Sequence, residues 1–178
     1  MSESKDVSAD CAALRSASAS LRSDFRDAMA SLAAKVCIVA ARGAGQCFGR
    51  TVTAAFSLNV APPAILVSIA AGAPLAALIR AGRQFSVAML SEGQQAVADA
   101  FAGKVAPEHR FEVGDWQSWS SGQPRLAGGV AAMDCTVISE IELADHLLFA
   151  GAPRDIRHDG GRQPLVWHGR HYNGVCTL

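Results

Sequence analysis

Residues Gly49–Pro63 read GRTVTAAFSLNVAPP and lead directly into Ala64–Ile69, which read AILVSI. The first stretch alternates small hydroxyl residues with β-branched ones and then stops at a double proline. β-Branched residues favour strands, whereas proline interrupts them. The pattern predicts two strands separated by a turn. The first strand offers backbone amides and short hydroxyl groups to a ligand, with no bulky side chain in the way.

The composition predicts one folded domain. The chain has 178 residues, of which 50% are hydrophobic and 18% are charged. So few charges leave apolar faces exposed unless a second subunit covers them, which predicts a homo-oligomer. The 16 basic and 16 acidic residues cancel, so nucleic acid is not an expected partner.

The N-terminal 22 residues mix Ser, Ala, Asp and Arg without an apolar core, which argues against a secretory signal. We expect residues 1–22 to form a flexible arm before a single domain at 23–178. No run of apolar residues is long enough to span a membrane. Five scattered cysteines without a Cys-x-x-Cys pair predict buried, inert thiols and a cytoplasmic location.

The periodicity predicts a mainly β fold. A first helix is expected to begin at Ser23 or Asp24, and a hairpin turn at residues 42–46. Further helices are predicted at 74–80 and 91–101. No Gly-x-Gly-x-x-Gly motif follows a first strand, so an antiparallel barrel with peripheral helices is favoured over a Rossmann domain. Strands are predicted at 36–41, 47–55, 64–69, 85–90, 133–141, 146–153 and 164–168.

Residues 104–124 contain Pro, Gly, Ser and two tryptophans, which predicts a long surface loop. Loops of this length inside a compact domain are usually functional or contact a partner. We interpret Trp116 and Trp119 as surface anchors of the loop. A cover over a substrate and a subunit contact are the alternatives.

Several segments, in sequence order, resemble the flavin reductase-like family. Gln84–Leu90 is similar to the family's Phe-x-Val-Asn-x-Leu strand, and Ala144–Gly151 to its Gly-Asp-His-x-Leu-Phe-x-Gly segment. Pro164–Tyr172 is similar to its closing Pro-Leu-x-Tyr-x-x-Gly-x-Tyr. The other matching segments are Phe25–Ala30, Val36–Val39, Thr51–Ser57, Pro62–Pro63, Phe101–Gly103 and Arg110–Phe111.

This resemblance implies a split β-barrel with Greek-key topology that forms a homodimer and holds FMN, or alternatively FAD, near the subunit interface. It also implies reduction of the flavin by NADH or NADPH. Hydride transfer between two stacked rings requires a dry, well-ordered pocket and no general base. The lack of a recognisable catalytic triad or metal cluster is therefore compatible with an enzyme.

The resemblance also implies which residues bind the cofactor. One group would hold the edge of the flavin ring, a second its ribityl chain or phosphate, and a third the phosphate at a helix N-terminus. Ordinary strand packing and turn chemistry are the competing interpretations. The three groups are Arg50, Thr51, Val52, Thr53 and Ala54; Ser57, Leu58 and Asn59; and Gly72 and Ala73.

His146 is the candidate catalytic residue. By resemblance it lies at the mouth of the flavin pocket, where an imidazole can orient the nicotinamide carboxamide or supply a proton. Asp145 would orient His146 or complete the turn, and by resemblance Tyr172 would also lie near the nucleotide. A structural role for His146 and a packing role for Tyr172 are the alternatives. His158, His168 and His171 lack the spacing and further ligands of a metal site, so no metal is predicted.

Two departures from the family pattern concern the flavin tail. Ala70–Pro74 lacks the hydroxyl residues common there, and Ala88 stands where Asn is frequent. FMN and FAD therefore stay open, as does phosphate binding by Arg50 or Arg83 instead of a helix N-terminus.

The function implied is that of an NAD(P)H:flavin oxidoreductase that supplies reduced flavin to a partner monooxygenase. One alternative is a bound-flavin electron donor to a metal acceptor, either a ferric chelate or the cobalt of a corrinoid. A non-catalytic flavin-binding module is the other.

Overall fold

The computed structural model describes residues 18–176 and is mainly β. Residues 1–17, which include Cys11 and most of the predicted arm, lie outside the described residues. The strands are β1 (Ala34–Lys35), β2 (Cys37–Gly43), β3 (Gln46–Val52), β4 (Ala55–Val60), β5 (Pro63–Ala70), β6 (Gln84–Met89), β7 (Trp116–Ser118), β8 (Pro124–Leu126), β9 (Ala131–Leu143), β10 (His146–His158), β11 (Val166–His168) and β12 (His171–Asn173). The helices are α1 (Ala19–Ala30), α2 (Pro74–Gly82) and α3 (Gln95–Asp99), with a π-helical turn at Ala100–Lys104 and a 3₁₀ turn at Pro107–Glu112.

The main sheet has seven antiparallel strands in the order β3-β2-β6-β9-β10-β5-β4. Its two edge strands, β3 and β4, are consecutive in the chain and are joined only by Thr53 and Ala54. In a flat sheet of seven strands the edges would lie about 29 Å apart. A connector of this length reaches at most about 11 Å. The sheet must therefore roll up until its edges meet.

The two edges meet at the segment Val52–Ala55, which we term the seam. The amide of Ser68 in β5 donates to the carbonyl of Ala54 at 3.1 Å, and the amide of Ala55 donates to the carbonyl of Thr53 at 2.9 Å. Strands β5 and β6 are separated in the sheet by β9 and β10, a connection of the Greek-key kind. The predicted mainly β split barrel is confirmed.

Alternating side chains divide the barrel into an interior and an exterior. Val67 and Phe149 point inward and are fully buried, together with Leu75 and Ile79 of α2, which plugs the barrel. A second core lies outside the sheet, where Phe101 and its neighbours cover β2 and β6. Both faces of the central strands are therefore apolar, which explains their near-continuous hydrophobic sequence.

Helix α1 begins earlier than the sequence predicts. The Ser18 hydroxyl caps the helix by accepting from the amide of Leu21 at 3.1 Å. Ser23 and Asp24 lie inside the helix, so the expected start there is wrong, and residues 19–22 belong to the helix instead of the arm. Within residues 18–176, no helix is both long enough and apolar enough to cross a bilayer.

The segment 104–124 is not the irregular loop that the sequence predicts. It contains the 3₁₀ turn and β7, and it ends at β8. Trp116 packs against Phe101 and Phe111, with ring centroids 5.2 and 4.8 Å away. Trp119 is only 5% exposed, so it is a core residue and not a surface anchor. Apolar packing organises this segment despite its turn-rich composition.

Strands β9 and β10 are also longer than predicted, with 13 residues each. The added end of β10, at residues 154–158, is mostly charged and lacks the apolar alternation on which the sequence-based limits depend, whereas β9 gains two residues at each end. The predicted turn before Pro62 is partly strand, because β4 continues to Val60 and pairs with β5. The predicted final strand at 164–168 is shorter in the structure, as β11, and β12 follows it as a strand that the sequence analysis did not predict.

Gly49 provides a test of the packing between β3 and the outer core. A Cβ atom at this position would lie 2.5 Å from Cε1 of the buried Phe101. We expect Gly49→Ala to lower the free energy of unfolding by about 1–3 kcal/mol, because the ring has no free space into which to move. Urea unfolding measures this. Gly82→Ala is the control, since a Cβ there meets nothing within 4 Å; an equal loss in both variants would contradict the account.

Candidate functional site

A cleft of about 210 Å³ opens at the seam, and we term it the seam cleft. One wall is the end of β3, which is an edge strand, so one side of its backbone has no neighbour in the main sheet. The opposite wall carries aromatic side chains. The lining residues are Val36, Thr51, Val52, Thr53, Ala102, Trp167 and Tyr172.

Thr51 and Thr53 differ in what they offer to this cleft. The Thr51 hydroxyl donates to the carbonyl of Ala98 in α3 at 2.6 Å, so it already holds the outer helix against the barrel. Thr53 is exposed, and it precedes the connector residue Ala54. Backbone groups of the strand and the hydroxyl of Thr53 are therefore the polar groups that a ligand would meet.

Tyr172 is fixed at the opposite wall of the seam cleft. Its hydroxyl donates to Oδ1 of Asp99 at 2.8 Å, and Nζ of Lys104 lies 2.8 Å from Oδ2 of the same carboxylate. Its ring also meets Trp167 edge-on, with centroids 5.0 Å apart. Burial and the neighbouring Asp99 carboxylate raise the pKa of Tyr172 to about 12. The phenol is therefore a neutral, oriented group at neutral pH.

A second cleft, of about 190 Å³, lies by the β4–β5 hairpin, and we term it the hairpin cleft. Ser57, Asn59 and Lys35 contribute its polar groups, and the remaining walls are mostly apolar. Lys35 is the cationic residue of this lining, and the sequence reasoning missed it. A lysine just before a buried strand gives no signal that distinguishes it from a surface lysine.

Ser57, Leu58 and Asn59, the residues predicted to hold the ribityl chain or phosphate, have different roles in the structure. The Asn59 side chain donates to the carbonyl of Ala61 and accepts from the amide of Val60, both at 3.0 Å, so it closes the turn. Leu58 is the extra residue of a β-bulge between Ser57 and Asn59 and is 52% exposed. Turn chemistry thus accounts for the Asn59 amide, while Ser57 faces the cleft.

His146 lies at the β9–β10 turn, with Nδ1 2.8 Å from Oδ1 of Asp145. Its side chain is 47% exposed. His146 in β10 lies opposite Ala70 in β5. Two residues further along β10, Leu148 lies opposite Ser68, whose amide donates to the carbonyl of Ala54. Strand spacings then place the backbone of His146 about 12 Å from Ala54. Because Leu147 and Phe149 point into the barrel, the side chain of His146 points outward, to the same outer face as the exposed Ala54.

Gly72 and Ala73, the residues predicted to hold the phosphate at a helix N-terminus, lie beside His146 and outside both clefts. Gly72 and Ala73 precede α2, where Ala73 is the N-cap without a side-chain hydrogen bond. The amide of Ala71 donates to the carbonyl of Asp145 at 2.8 Å. Gly72 and Ala73 are absent from the linings of the seam and hairpin clefts.

The two arginines considered for the phosphate are in different situations. Arg50 lies on β3 near the seam and is exposed. Arg83 ends α2 at the opposite end from Ala73 and is bound to Glu140, with Nη1 2.8 Å from Oε2. Arg83 is therefore paired with a carboxylate and lies far from the helix N-terminus, so it does not add to a phosphate site there.

The cysteines behave partly as expected. Cys37 and Cys135 are fully buried, and burial raises the pKa of each thiol to about 12, so neither supplies a thiolate at neutral pH. Cys47 is half-buried and Cys176 is exposed, which departs from the expectation that all thiols are buried.

The rolled seven-stranded sheet, with a cleft between the end of β3 and the β11–β12 pair, defines the class of this protein as a split-barrel domain with a cleft at its seam. Residues 29–175 match the Flavin reductase like domain. The chain therefore belongs to the flavin reductase-like family.

Individual relatives agree with this assignment. An FMN reductase (NADH) RutF from Ancylobacter novellus is 34% identical over 155 residues, which cover 87% of this chain and 86% of the relative. The flavin reductase of styrene monooxygenase (SMOB) from Pseudomonas putida S12 superposes with a TM-score of 0.77 at 26% identity, covering 87% of this chain and 99% of that one. Flavin reductase PheA2 superposes with a TM-score of 0.79 at 27% identity, covering 87% and 98%.

Tyr172 is the single tyrosine of the chain, so its titration can be followed directly by tyrosinate absorbance. We expect a midpoint near pH 12. Because the pKa of Tyr172 is higher in the folded than in the unfolded chain, the neutral phenol stabilises the folded state. This stabilisation is fully present below the unfolded pKa of about 10 and is lost as the pH rises through the folded pKa of about 12. Asp99→Asn should shift the midpoint downward, because the carboxylate no longer opposes ionisation. A midpoint that is the same in both proteins would contradict the Tyr172–Asp99 hydrogen bond.

Proposed function

We propose that this protein is an NADH-dependent flavin reductase that reduces FMN and supplies it to a separate oxygenase. The observation that carries the proposal is the seam cleft, where Thr51–Thr53 and Tyr172, distant in sequence, line one cavity. Membership of the flavin reductase-like family supports the reaction class. The RutF relative, whose name specifies FMN and NADH, supports the choice of cofactors. The similarity to a styrene monooxygenase flavin reductase supports the oxygenase as consumer.

The residues at the seam suit a flavin. A flavin ring presents alternating donors and acceptors at one edge and apolar faces elsewhere. The free backbone edge of β3 and the exposed Thr53 can serve the polar edge, while Val36 and Trp167 provide apolar contact. Bound flavin supplies the two-electron acceptor for the hydride of NADH. Thr51, Val52, Thr53, Ala54 and Tyr172 are the residues that would hold it.

His146 would act at the nicotinamide end of this site. Because the Asp145 carboxylate accepts from Nδ1, the imidazole is held in one tautomer, with Nε2 left as the available nitrogen. Nε2 can orient the carboxamide of the nucleotide or pass a proton when the imidazole is protonated. Its half-exposed position suits a group that meets a co-substrate which binds and leaves.

A homodimer would complete the site. Each cleft has a volume of about 200 Å³, which is below the roughly 300 Å³ at which sites for small molecules begin. On the outer face of the sheet, Ile141 is 54% exposed and pairs with Leu148, which pairs in turn with Ser68 beside the seam. Ile141 and Leu148 therefore form an apolar patch on this face, and the patch ends at Ser68, next to Ala54. A second copy packed there would bury this face and wall off the cleft.

The direct test is NADH oxidation by the purified protein with FMN as acceptor. We expect turnover that depends on both substrates, and a faster rate with FMN than with FAD. The absorbance of FMN should be bleached by NADH without oxygen and should return in air. No flavin-dependent NADH oxidation would overturn the proposal.

His146→Ala tests the nucleotide end. We expect the KM for NADH to rise about tenfold, as loss of one hydrogen bond predicts, with the KM for FMN unchanged. His109→Ala is a matched control, because His109 is also exposed and also bonded to a carboxylate, with Nδ1 3.0 Å from Oε1 of Glu112. Equal increases in both KM values would remove His146 from the nucleotide site.

Ile141→Lys tests the dimer. A charge placed on this exposed position should leave the fold intact but oppose burial of the face, so sedimentation should show one chain instead of two. NADH oxidation should fall with dissociation, because the cleft loses its second wall. Val175→Lys is the control, since Val175 is 50% exposed and outside the sheet. A wild-type protein that sediments as a single chain would contradict the dimer.

A further inference from the structure

A third cleft, of about 180 Å³, lies on the outside of the barrel where β8 passes the far end of the β9–β10 hairpin, and we term it the arginine cleft. It shares no lining residue with the seam cleft or the hairpin cleft. Arg125 comes from β8, Arg157 from the end of β10, and Arg162 from the following loop. The fold thus brings three guanidinium groups from separate segments to one concavity.

The charges in this cleft do not balance. Its lining includes the three arginines and His158 but a single carboxylate, Asp159. Nε of Arg162 lies 2.8 Å from Oδ2 of Asp159, so one arginine is compensated. Arg157 forms a longer ion pair with Asp155, with Nη2 3.7 Å from Oδ2, so it is only partly compensated, and Arg125 has no carboxylate partner among the residues that line the cleft. The chain as a whole carries equal numbers of basic and acidic residues, so the excess of positive charge is local.

Arg125 is held in place without a carboxylate. Its guanidinium lies 5.5 Å from the ring centroid of Trp119, and it donates to Oε1 of Gln117. Trp119 is 5% exposed, so it is a fixed platform. An arginine stacked on a buried ring keeps its full charge and gives up little conformational freedom when it binds an anion.

The floor of the arginine cleft is also fixed. The Ser91 hydroxyl donates to the carbonyl of Gly128 at 2.7 Å, and Nε2 of Gln94 donates to the carbonyl of Ala127 at 2.9 Å. A Cβ atom on Gly129 would lie 2.6 Å from the carbonyl oxygen of Met89, so the loop approaches β6 as closely as only glycine permits. This floor does not have to reorganise to receive a ligand.

We propose that the arginine cleft binds a phosphate group of a small anion. Guanidinium groups recognise phosphate through paired hydrogen bonds, and converging arginines on a fixed floor suit one compact, highly charged group. The concave shape favours a small molecule over the flatter surface of an acidic protein. The phosphate can be free or can belong to a nucleotide, and the two sources share this chemistry.

The proposal is tested by isothermal titration of the full-length protein with inorganic phosphate, ADP and NAD⁺. We expect saturable binding that weakens at least tenfold in the double variant Arg157→Gln/Arg162→Gln, which removes two charge-assisted hydrogen bonds. Arg26→Gln, on α1, is the charge control and should bind like the wild type. If ADP binds at least tenfold more tightly than inorganic phosphate, the ligand is a nucleotide. If the two bind equally tightly, the ligand is free phosphate.

The contrary outcomes are equally distinct. Similar weakening in Arg26→Gln and the double variant would show diffuse electrostatics instead of a site. Absence of binding by all three anions would overturn the proposal. If an immobilised acidic polypeptide retains the wild type but not the double variant, and phosphate does not bind, the cleft is instead part of a protein-docking surface. Arg157 and Arg162 are 65% and 48% exposed, and urea unfolding of each variant checks that the fold is intact.

Discussion

The architecture depends on one constraint, the two-residue connection between the edge strands of the main sheet. Thr53 and Ala54 cannot bridge the width of a flat seven-stranded sheet, so the sheet rolls up until its edge strands approach each other at the seam without pairing. The bond from the Ser68 amide to the Ala54 carbonyl fixes the connector to β5. The rolling of the sheet forms the buried interior and leaves the end of β3 without a partner strand on its outer side.

The same constraint creates the candidate site. An edge strand has free backbone groups, and nearly all proteins cover or pair them. Here the aromatic pair Trp167 and Tyr172 stands opposite the free edge across the seam cleft. The hydroxyl of Thr51 secures the outer helix, so part of the motif is structural and part faces the cleft. The structural interpretation is therefore correct for the Thr51 hydroxyl, and the flavin-binding role of the rest of the Thr-Val-Thr strand stays a prediction.

The sequence predicts the strands that are apolar on both faces, because their composition has few interpretations. It also places Thr51–Thr53 and Tyr172 in one family pattern, and the structure brings them to one cleft. It does not predict the start of α1, because Ser18, Ser23 and Asp24 are all acceptable caps. The burial of Trp119 also cannot be predicted, since it depends on tertiary packing of a segment rich in turn residues.

Other features follow from contacts distant in sequence. Lys35 enters the hairpin cleft only because β1 passes β4 and β5 in three dimensions. The three arginines of the outer cleft are dispersed over nearly 40 positions of the chain, from Arg125 to Arg162, and form no motif. The predicted phosphate site at Gly72 and Ala73 stays a prediction, because these residues lie beside His146 but outside both clefts.

Amide hydrogen exchange with and without FMN tests the central claim, that the flavin binds at the seam. Peptides covering residues 49–56 and 167–173 should exchange more slowly when FMN is bound, because the ligand covers the free edge of β3 and the facing wall. Peptides covering β7 and β8 should be unchanged. Protection confined to residues 71–76, at the start of α2, with no change at the seam, would contradict the account.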